Sequence, residues 1–129
     1  MSAALLLLVG ILGGAGALAR LRVDAAVTAR AGRRTDPARR QRFPLGILAV
    51  NLGGALLLGI VVGFAVHGDR YTLIATGLLG SYTTFSTWVF DSHRLASEGR
   101  RGAAALNVGA SLGLGLLAVW LGRELGGLF

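Results

Sequence analysis

The chain alternates long stretches without any charged residue with short stretches that hold all of the charges. Four uncharged runs cover residues 1–19, 43–66, 71–90 and 102–122, and they are 19, 24, 20 and 21 residues long. A helix rises about 1.5 Å per residue, so about 20 apolar residues cross a hydrocarbon core of about 30 Å. The pattern predicts an all-α integral membrane protein with four transmembrane helices.

The four runs leave almost no length for a separate soluble domain in a chain of 129 residues. We therefore interpret residues 1–129 as one four-helix transmembrane unit with approximate spans at 3–21, 44–66, 71–90 and 103–122. The first run lacks the basic residues that precede the apolar part of a secretory signal. We expect it to be the first span rather than a cleaved leader.

The third run differs in composition from a lipid-facing helix, because its second half reads GSYTTFSTWVF from Gly80 to Phe90. Single Ser, Thr and Asn residues often bond their own helix or join two helices. A cluster of them is costly inside a bilayer unless it meets a polar path or interface. The hydroxyls after Gly80 predict an interrupted third helix beside a polar route. The polar residues of the spans include Asn51, Ser81, Thr83, Thr84, Ser86, Thr87, Asn107 and Ser111.

The distribution of arginine predicts the orientation in the membrane. Residues 20–42 hold eight Arg and residues 91–101 hold three, so 8 + 3 = 11 lie on one side against two, Arg70 and Arg123, on the other. Cytoplasmic loops collect Lys and Arg, which places both Arg-rich loops inside and both termini outside. Topology accounts for the net charge of +7, so we expect a multi-pass protein of the cell membrane without a nucleic-acid partner.

Several kinds of chemistry are excluded by what the spans lack. All six acidic residues lie outside the uncharged runs, and the chain has no Cys. A proton-coupled exporter of cationic drugs needs a carboxylate within the membrane, and an enzyme needs a nucleophile with a nearby base. Neutral hydroxyls, amides and aromatic edges remain, and these can donate to a small, strongly hydrated anion. At 100° per residue, Phe85 and Trp88 fall within about 60° of each other and Ser81 lies near the same direction.

The segments GGAGALAR, FPLGILAVNLGG and GLLGSYTTFSTWVF resemble the Fluc/CrcB family of fluoride channels, and the likeness covers nearly the whole chain. The resemblance implies an antiparallel dimer of two four-helix subunits, each with a broken third helix. It implies passive, fluoride-selective export that keeps cytoplasmic fluoride below toxic levels. It also implies a structural sodium ion, not transported, at the centre of the dimer.

The resemblance further implies roles for single residues. The backbone carbonyls of Gly80 and Thr83 correspond to the sodium ligands, and Arg20 to the arginine that ends the first span. Four positions correspond to the fluoride pathway: Asn51, Phe85, Trp88 and Ser111. We also expect the hydroxyls of Thr84 and Thr87 to belong to the pathway, as donors against which fluoride sheds its water.

Two positions depart from the family pattern. Trp88 stands where the family has a second pore Phe, and Asn107 stands where it commonly has Tyr. Together with the 11-to-2 arginine bias, they leave open a homodimer or a heterodimer with an oppositely oriented paralogue. The alternative function is a non-conducting or half-pore partner subunit of a heterodimeric fluoride channel.

Overall fold

The computed structural model describes residues 2–32 and 43–128 and is built from helices. The helices are α1 (Ala3–Gly32), α2 (Leu45–Gly63), α3 (Gly68–Tyr71), a π-helical segment (Thr72–Leu79), α4 (Gly80–Tyr82), α5 (Phe85–Ser97) and α6 (Arg101–Gly126). No strand occurs in the described ranges. The all-α prediction is confirmed. The arginines between Gly32 and Phe43 in the Arg-rich loop, and Asp36, lie outside the described residues.

Within residues 2–32 and 43–128, three helices are long and apolar enough to cross a membrane: α1, α2 and α6. The first extends to Gly32, and its 30 residues make it longer than the span predicted at 3–21. The region of the predicted third span is divided among shorter helical segments, none as long as a membrane span. Three of the four predicted spans therefore have a matching helix in the described residues, and the third span stays a prediction.

Large apolar side chains cover the outside of these helices. Leu6, Leu7 and Ile11 of α1 are exposed, as are Leu116 and Leu117 of α6. A water-soluble protein rarely leaves so extensive an apolar surface uncovered, whereas lipid or a partner helix covers it at no cost. The chain is a multi-pass membrane protein.

Glycines let α2 and α6 pack with their backbones in direct contact. A Cβ at Gly59 would collide with the Val119 carbonyl, and a Cβ at Gly122 would collide with the Leu56 carbonyl. The same relation joins Gly63 and Gly126 one turn further along. Small residues at such an interface permit the close approach that stabilises membrane helix pairs.

A second close contact joins α1 to the region of the predicted third span. A Cβ at Gly16 would collide with the Leu78 carbonyl, and a Cβ at Gly13 would lie 3.0 Å from the Ser81 hydroxyl. The glycines of the GGAGALAR segment thus form a smooth face of α1 that packs against the π-helical segment and α4. These contacts position the interruption that follows Tyr82.

We expect Gly122→Ala to lower the free energy of unfolding by about 1–3 kcal/mol, because the added methyl meets backbone that cannot move aside. Gly102→Ala, on the same helix, is the matched control, since apart from the local helix backbone no atom lies within 4 Å of a Cβ at Gly102. That variant should be neutral or slightly stabilising, as Ala favours a helix over Gly. Thermal unfolding in detergent compares the two, and equal stability of both variants would contradict the packing described.

Candidate functional site

A cavity of about 400 Å³ lies between α2, the segments around Gly80, the start of α5, and α6. Seven of the nine predicted site residues line it: Asn51, Gly80, Thr83, Thr84, Phe85, Trp88 and Ser111. The remaining wall is apolar, with Leu58, Leu79 and Leu112 among its residues. No charged side chain is part of this lining. Residues from four segments, distant in sequence, therefore meet at one uncharged cavity.

The backbone leaves the helical conformation at Thr83 and Thr84, between α4 and α5. Thr83 has φ −79° and ψ 163°, and Thr84 has φ −148° and ψ 124°. The Thr83 N–H still donates to the Leu79 carbonyl at 3.0 Å, but the regular i to i−4 pattern is lost from Thr84 onward. Backbone groups inside the protein therefore need other partners.

The side-chain amide of Asn51 supplies those partners. Its Nδ2 donates to the Thr84 carbonyl at 3.0 Å, and its Oδ1 accepts from the Thr84 N–H at 2.9 Å. One side chain of α2 thus satisfies both backbone groups of one extended residue. Asn51 was predicted to line the pathway, and the structure also places it as the link that holds the interruption.

The hydroxyl of Thr84 caps the first turn of α5. Thr84 is 8% exposed, and its Oγ1 accepts from the Thr87 N–H at 3.3 Å. The same hydroxyl donates to Thr87 Oγ1 at 3.1 Å. Threonine at an N-cap is favoured because it satisfies a free N–H of the helix start. Thr87 lies behind Thr84 and is not part of the cavity lining.

Two backbone carbonyls near the interruption have lost their regular helical donors. The Thr84 N–H, which would donate to Gly80 in a continuous helix, donates to Asn51 instead. The Thr83 carbonyl accepts a long hydrogen bond of 3.5 Å from Arg20 Nη1. Arg20 thus reaches from α1 to the interruption, with its positive charge beside a partially negative carbonyl oxygen.

The aromatic residues at the cavity differ in how firmly they are held. The Phe85 and Trp88 rings have centroids 5.3 Å apart at an angle of 60°, as expected for neighbours on one turn of α5. Phe85 is 73% exposed, whereas the indole N–H of Trp88 donates to the Asn107 carbonyl at 3.4 Å. The predicted proximity of the two rings is confirmed.

The projection that placed Ser81 near the direction of Phe85 and Trp88 is wrong. It assumed one continuous helix, and the extended residues at 83 and 84 change the direction of the chain between Ser81 and Phe85. The Ser81 hydroxyl instead lies against Gly13 of α1.

The hydroxyl of Ser111 is buried and has no hydrogen-bond partner in the described part of the chain. It lies one turn after Asn107 on α6, and the residue lines the cavity. A buried polar atom without a partner is costly, so such groups usually meet water, an ion or a ligand. Ser111 is therefore the hydroxyl most available to a guest in this cavity.

Charged groups lie beyond the cavity, past the predicted end of the third span at residue 90. Asp91 Oδ1 accepts from Arg94 Nη2 at 3.1 Å in an ion pair within α5. Burial raises the pKa of the Asp91 carboxyl above its usual value, while Arg94 opposes this shift and Asp24 adds to it. An anion approaching from this side would meet both charge signs before the uncharged cavity.

Sequence reasoning missed the roles of Asn107 and Ser92. Asn107 is 1% exposed and donates through Nδ2 to Ser92 Oγ at 2.9 Å. Ser92 lies outside the uncharged runs and so is not among the polar residues of the predicted spans. The spacing of Ser92 from Trp88, four residues along a helix, was the available signal.

Comparison with known proteins gives a consistent result. Residues 7–123 match the family described as CrcB-like protein, Camphor Resistance (CrcB). The chain is 44% identical over 124 residues to "Fluoride-specific ion channel FluC 1" of Symbiobacterium thermophilum, covering 92% of this chain and 94% of that one. It is 42% identical over 117 residues to "Fluoride-specific ion channel FluC 2" of Mycolicibacterium paratuberculosis, covering 91% and 89%. It is also 47% identical over 88 residues to "Fluoride-specific ion channel FluC 2" of Symbiobacterium thermophilum, covering 64% and 72%.

Proposed function

Because the chain belongs to the CrcB family, we propose that it is a passive, fluoride-selective channel that exports cytoplasmic fluoride and so lowers its toxicity. The relatives are named as ion channels, not as enzymes. Export through a channel needs only a path and an existing gradient. It needs no acidic residue within the membrane, and the predicted spans contain none.

The observation that carries this proposal is the uncharged cavity that joins Asn51, Phe85 and Ser111. Fluoride is small and holds its water strongly, so a path through the bilayer must replace that water with other donors. The unpartnered hydroxyl of Ser111 is one such donor, and the positive edge of the Phe85 ring is another. One amide hydrogen of Asn51 already bonds to Thr84, and its second is available to an anion.

Selectivity over chloride follows from the same lining. Hydroxyl and amide donors suit a hard, compact anion, and apolar walls offer nothing to an ion that keeps its water. A larger halide would need a wider gap between the rings of Phe85 and Trp88 and the face of α6. We therefore assign the selective step to the region between these rings and Ser111.

The third span, in this proposal, is a helix broken at Thr83 and Thr84 that crosses the membrane in two parts. Freed carbonyls at such a break are suitable ligands for sodium. Gly80 and Thr83 fit this role, because the regular helical donor of Gly80 is diverted to Asn51 and Thr83 is extended. The described residues hold no cluster of His or carboxylate ligands that could bind a metal in another way. When bound, sodium would neutralise carbonyl dipoles and act structurally, and Arg20 beside Thr83 limits the space on that side.

We further propose that two subunits pair antiparallel, so that the exposed Phe85 ring and the carbonyls near Gly80 meet a second chain. The partner is a second copy of this chain or a paralogue of opposite orientation. Eleven arginines against two favour one orientation for this chain alone. The names FluC 1 and FluC 2 of the two Symbiobacterium thermophilum relatives show that one organism can hold two such proteins.

A topology measurement distinguishes the two pairings. With a reporter fused after Phe129 and the chain expressed alone, we expect at least about nine-tenths of the reporter outside the cytoplasm, because arginine bias sets orientation. Replacing the eight arginines of residues 20–42 with Gln removes most of the arginine bias. The reporter should then be found on both sides of the membrane. If the reporter on the unmodified chain is divided evenly between the two sides of the membrane, the chain does not need a paralogue of opposite orientation, and the homodimer is favoured.

The second candidate function, a half-pore or non-conducting subunit, is favoured by one observation: Trp88 lines the cavity while its N–H is engaged with the Asn107 carbonyl and so is not free to donate to an anion. Growth of a bacterial strain that lacks its own fluoride exporter tests the proposal against it. We expect growth at raised fluoride when this chain and its paralogue are expressed together. Rescue by the paralogue alone, unchanged by adding this chain, would favour the non-conducting subunit.

A further inference from the structure

Three residues form a closed hydrogen-bonded loop between α5 and α6. The Trp88 indole N–H donates to the Asn107 carbonyl at 3.4 Å, and the Asn107 side-chain amide donates to Ser92 Oγ at 2.9 Å. Ser92 Oγ in turn donates to the Trp88 carbonyl at 2.9 Å. The Trp88 ring is therefore held by the Asn107 carbonyl, and Ser92 acts on the ring indirectly, through the Asn107 side chain and the Trp88 backbone.

This loop determines what Trp88 presents to the cavity. Asn107 is 1% exposed and Trp88 and Ser92 are half-buried, so the Asn107 end of the loop is shielded from water, where hydrogen bonds and their loss have larger effects. With its N–H engaged, the indole offers only carbon edges and faces to the cavity. Phe85, 73% exposed, has no comparable restraint in this chain.

We propose that Ser92 and Asn107 are positioning residues that hold the Trp88 ring in one orientation and thereby set the anion selectivity of the route past it. The proposal rests on the proposed function as a fluoride channel. Trp88 is the largest side chain in the lining, so its rotation changes the width of the cavity more than that of any neighbour. Once freed, the ring can leave its rotamer and open a path for a larger halide.

The experiment uses Ser92, because replacement of the buried Asn107 risks unfolding. The chain has two tryptophans, and a Trp120→Phe background leaves only Trp88. Trp120 is exposed and is not part of the cavity lining. In that background we compare Ser92→Ala, Ser92→Thr and Ser97→Ala. The last is the matched control, since Ser97 Oγ also donates to a carbonyl of α5, that of Arg94, but is exposed.

Each purified variant is measured in two ways after reconstitution with its partner. For Ser92→Ala, we expect acrylamide quenching of Trp88 fluorescence to rise at least about twofold, because the ring samples additional rotamers. Ser92→Ala removes both hydrogen bonds of the Ser92 hydroxyl. Chloride efflux relative to fluoride efflux should rise about fivefold, the factor that corresponds to the net worth of about one hydrogen bond in holding the ring. Ser92→Thr keeps the hydroxyl and should restore both values, and Ser97→Ala should change neither.

The proposal also predicts that selectivity depends on the indole itself. In a Trp88→Phe background, which lacks the N–H, Ser92→Ala should cause no further loss of selectivity. Unchanged quenching in Ser92→Ala, or an equal loss of selectivity with and without the indole, overturns the proposal. If the parent protein passes no fluoride at all, the proposed function fails, and the quenching measurement still decides whether Ser92 fixes Trp88.

Discussion

Replacement of Phe85 by Ile should lower fluoride efflux from proteoliposomes by at least about tenfold, which corresponds to a barrier higher by about 1.4 kcal/mol. Ile is apolar but lacks the positive ring edge that can face an anion. Phe85 lines the cavity, lies 5.3 Å from Trp88 between ring centroids, and is 73% exposed in the single chain. The substitution should therefore leave the packing within the subunit unchanged. A fluoride-selective electrode measures the efflux.

The matched control is Phe90→Ile on the same helix. Phe90 is 65% exposed and is not part of the cavity lining. We expect its efflux to remain within about twofold of the parent, since exposed positions away from such features tolerate substitution. Equal efflux in the two variants would show that the Phe85 ring is not part of the route.

Replacement of Asn51 by Ala should lower the free energy of unfolding by about 2–4 kcal/mol. The estimate combines two lost hydrogen bonds with the cost of leaving the Thr84 N–H and carbonyl unpaired in the protein interior. A loss of this size is a large part of the stability of an ordinary domain. Thermal unfolding in detergent measures it, and amide hydrogen exchange at Thr84 should accelerate before exchange elsewhere.

Thr72→Val is a suitable control for Asn51→Ala. The Thr72 hydroxyl bonds the Gly68 carbonyl of its own helical turn at 3.3 Å and is exposed, so its removal should cost less than about 0.5 kcal/mol. If Asn51→Ala is as stable as Thr72→Val, and Thr84 exchange is unchanged, Asn51 does not hold the interruption.

Much of the fold is encoded locally and could be predicted. The lengths of the uncharged runs predicted the apolar helices α1, α2 and α6, because the rise of a helix and the thickness of a bilayer fix how many residues a span needs. Glycines in GGAGALAR and in α2 permit close helix contacts, since a Cβ at Gly16 or Gly59 would collide with a backbone carbonyl of the neighbouring segment. The hydroxyl cluster after Gly80 predicted a departure from helix, and Thr83 and Thr84 are extended.

The site could be predicted only in part, because its key contacts join residues distant in sequence. The pairing of Asn51 with Thr84 spans 33 positions and depends on the angle between α2 and the interruption. The hydrogen bond of Trp88 to Asn107 depends in the same way on how α5 meets α6. The helical projection of Ser81 was wrong for a related reason, since a single extended residue changes every direction that follows it.

Fluoride and chloride efflux from vesicles that contain the purified protein, alone and with its paralogue, test the central claim most directly. The claim is that neutral donors and ring edges in this cavity can replace the water of a small halide. We predict that fluoride leaves within seconds of adding a potassium ionophore in at least one of the two preparations, while chloride stays inside. Vesicles that retain their fluoride in both preparations would contradict it.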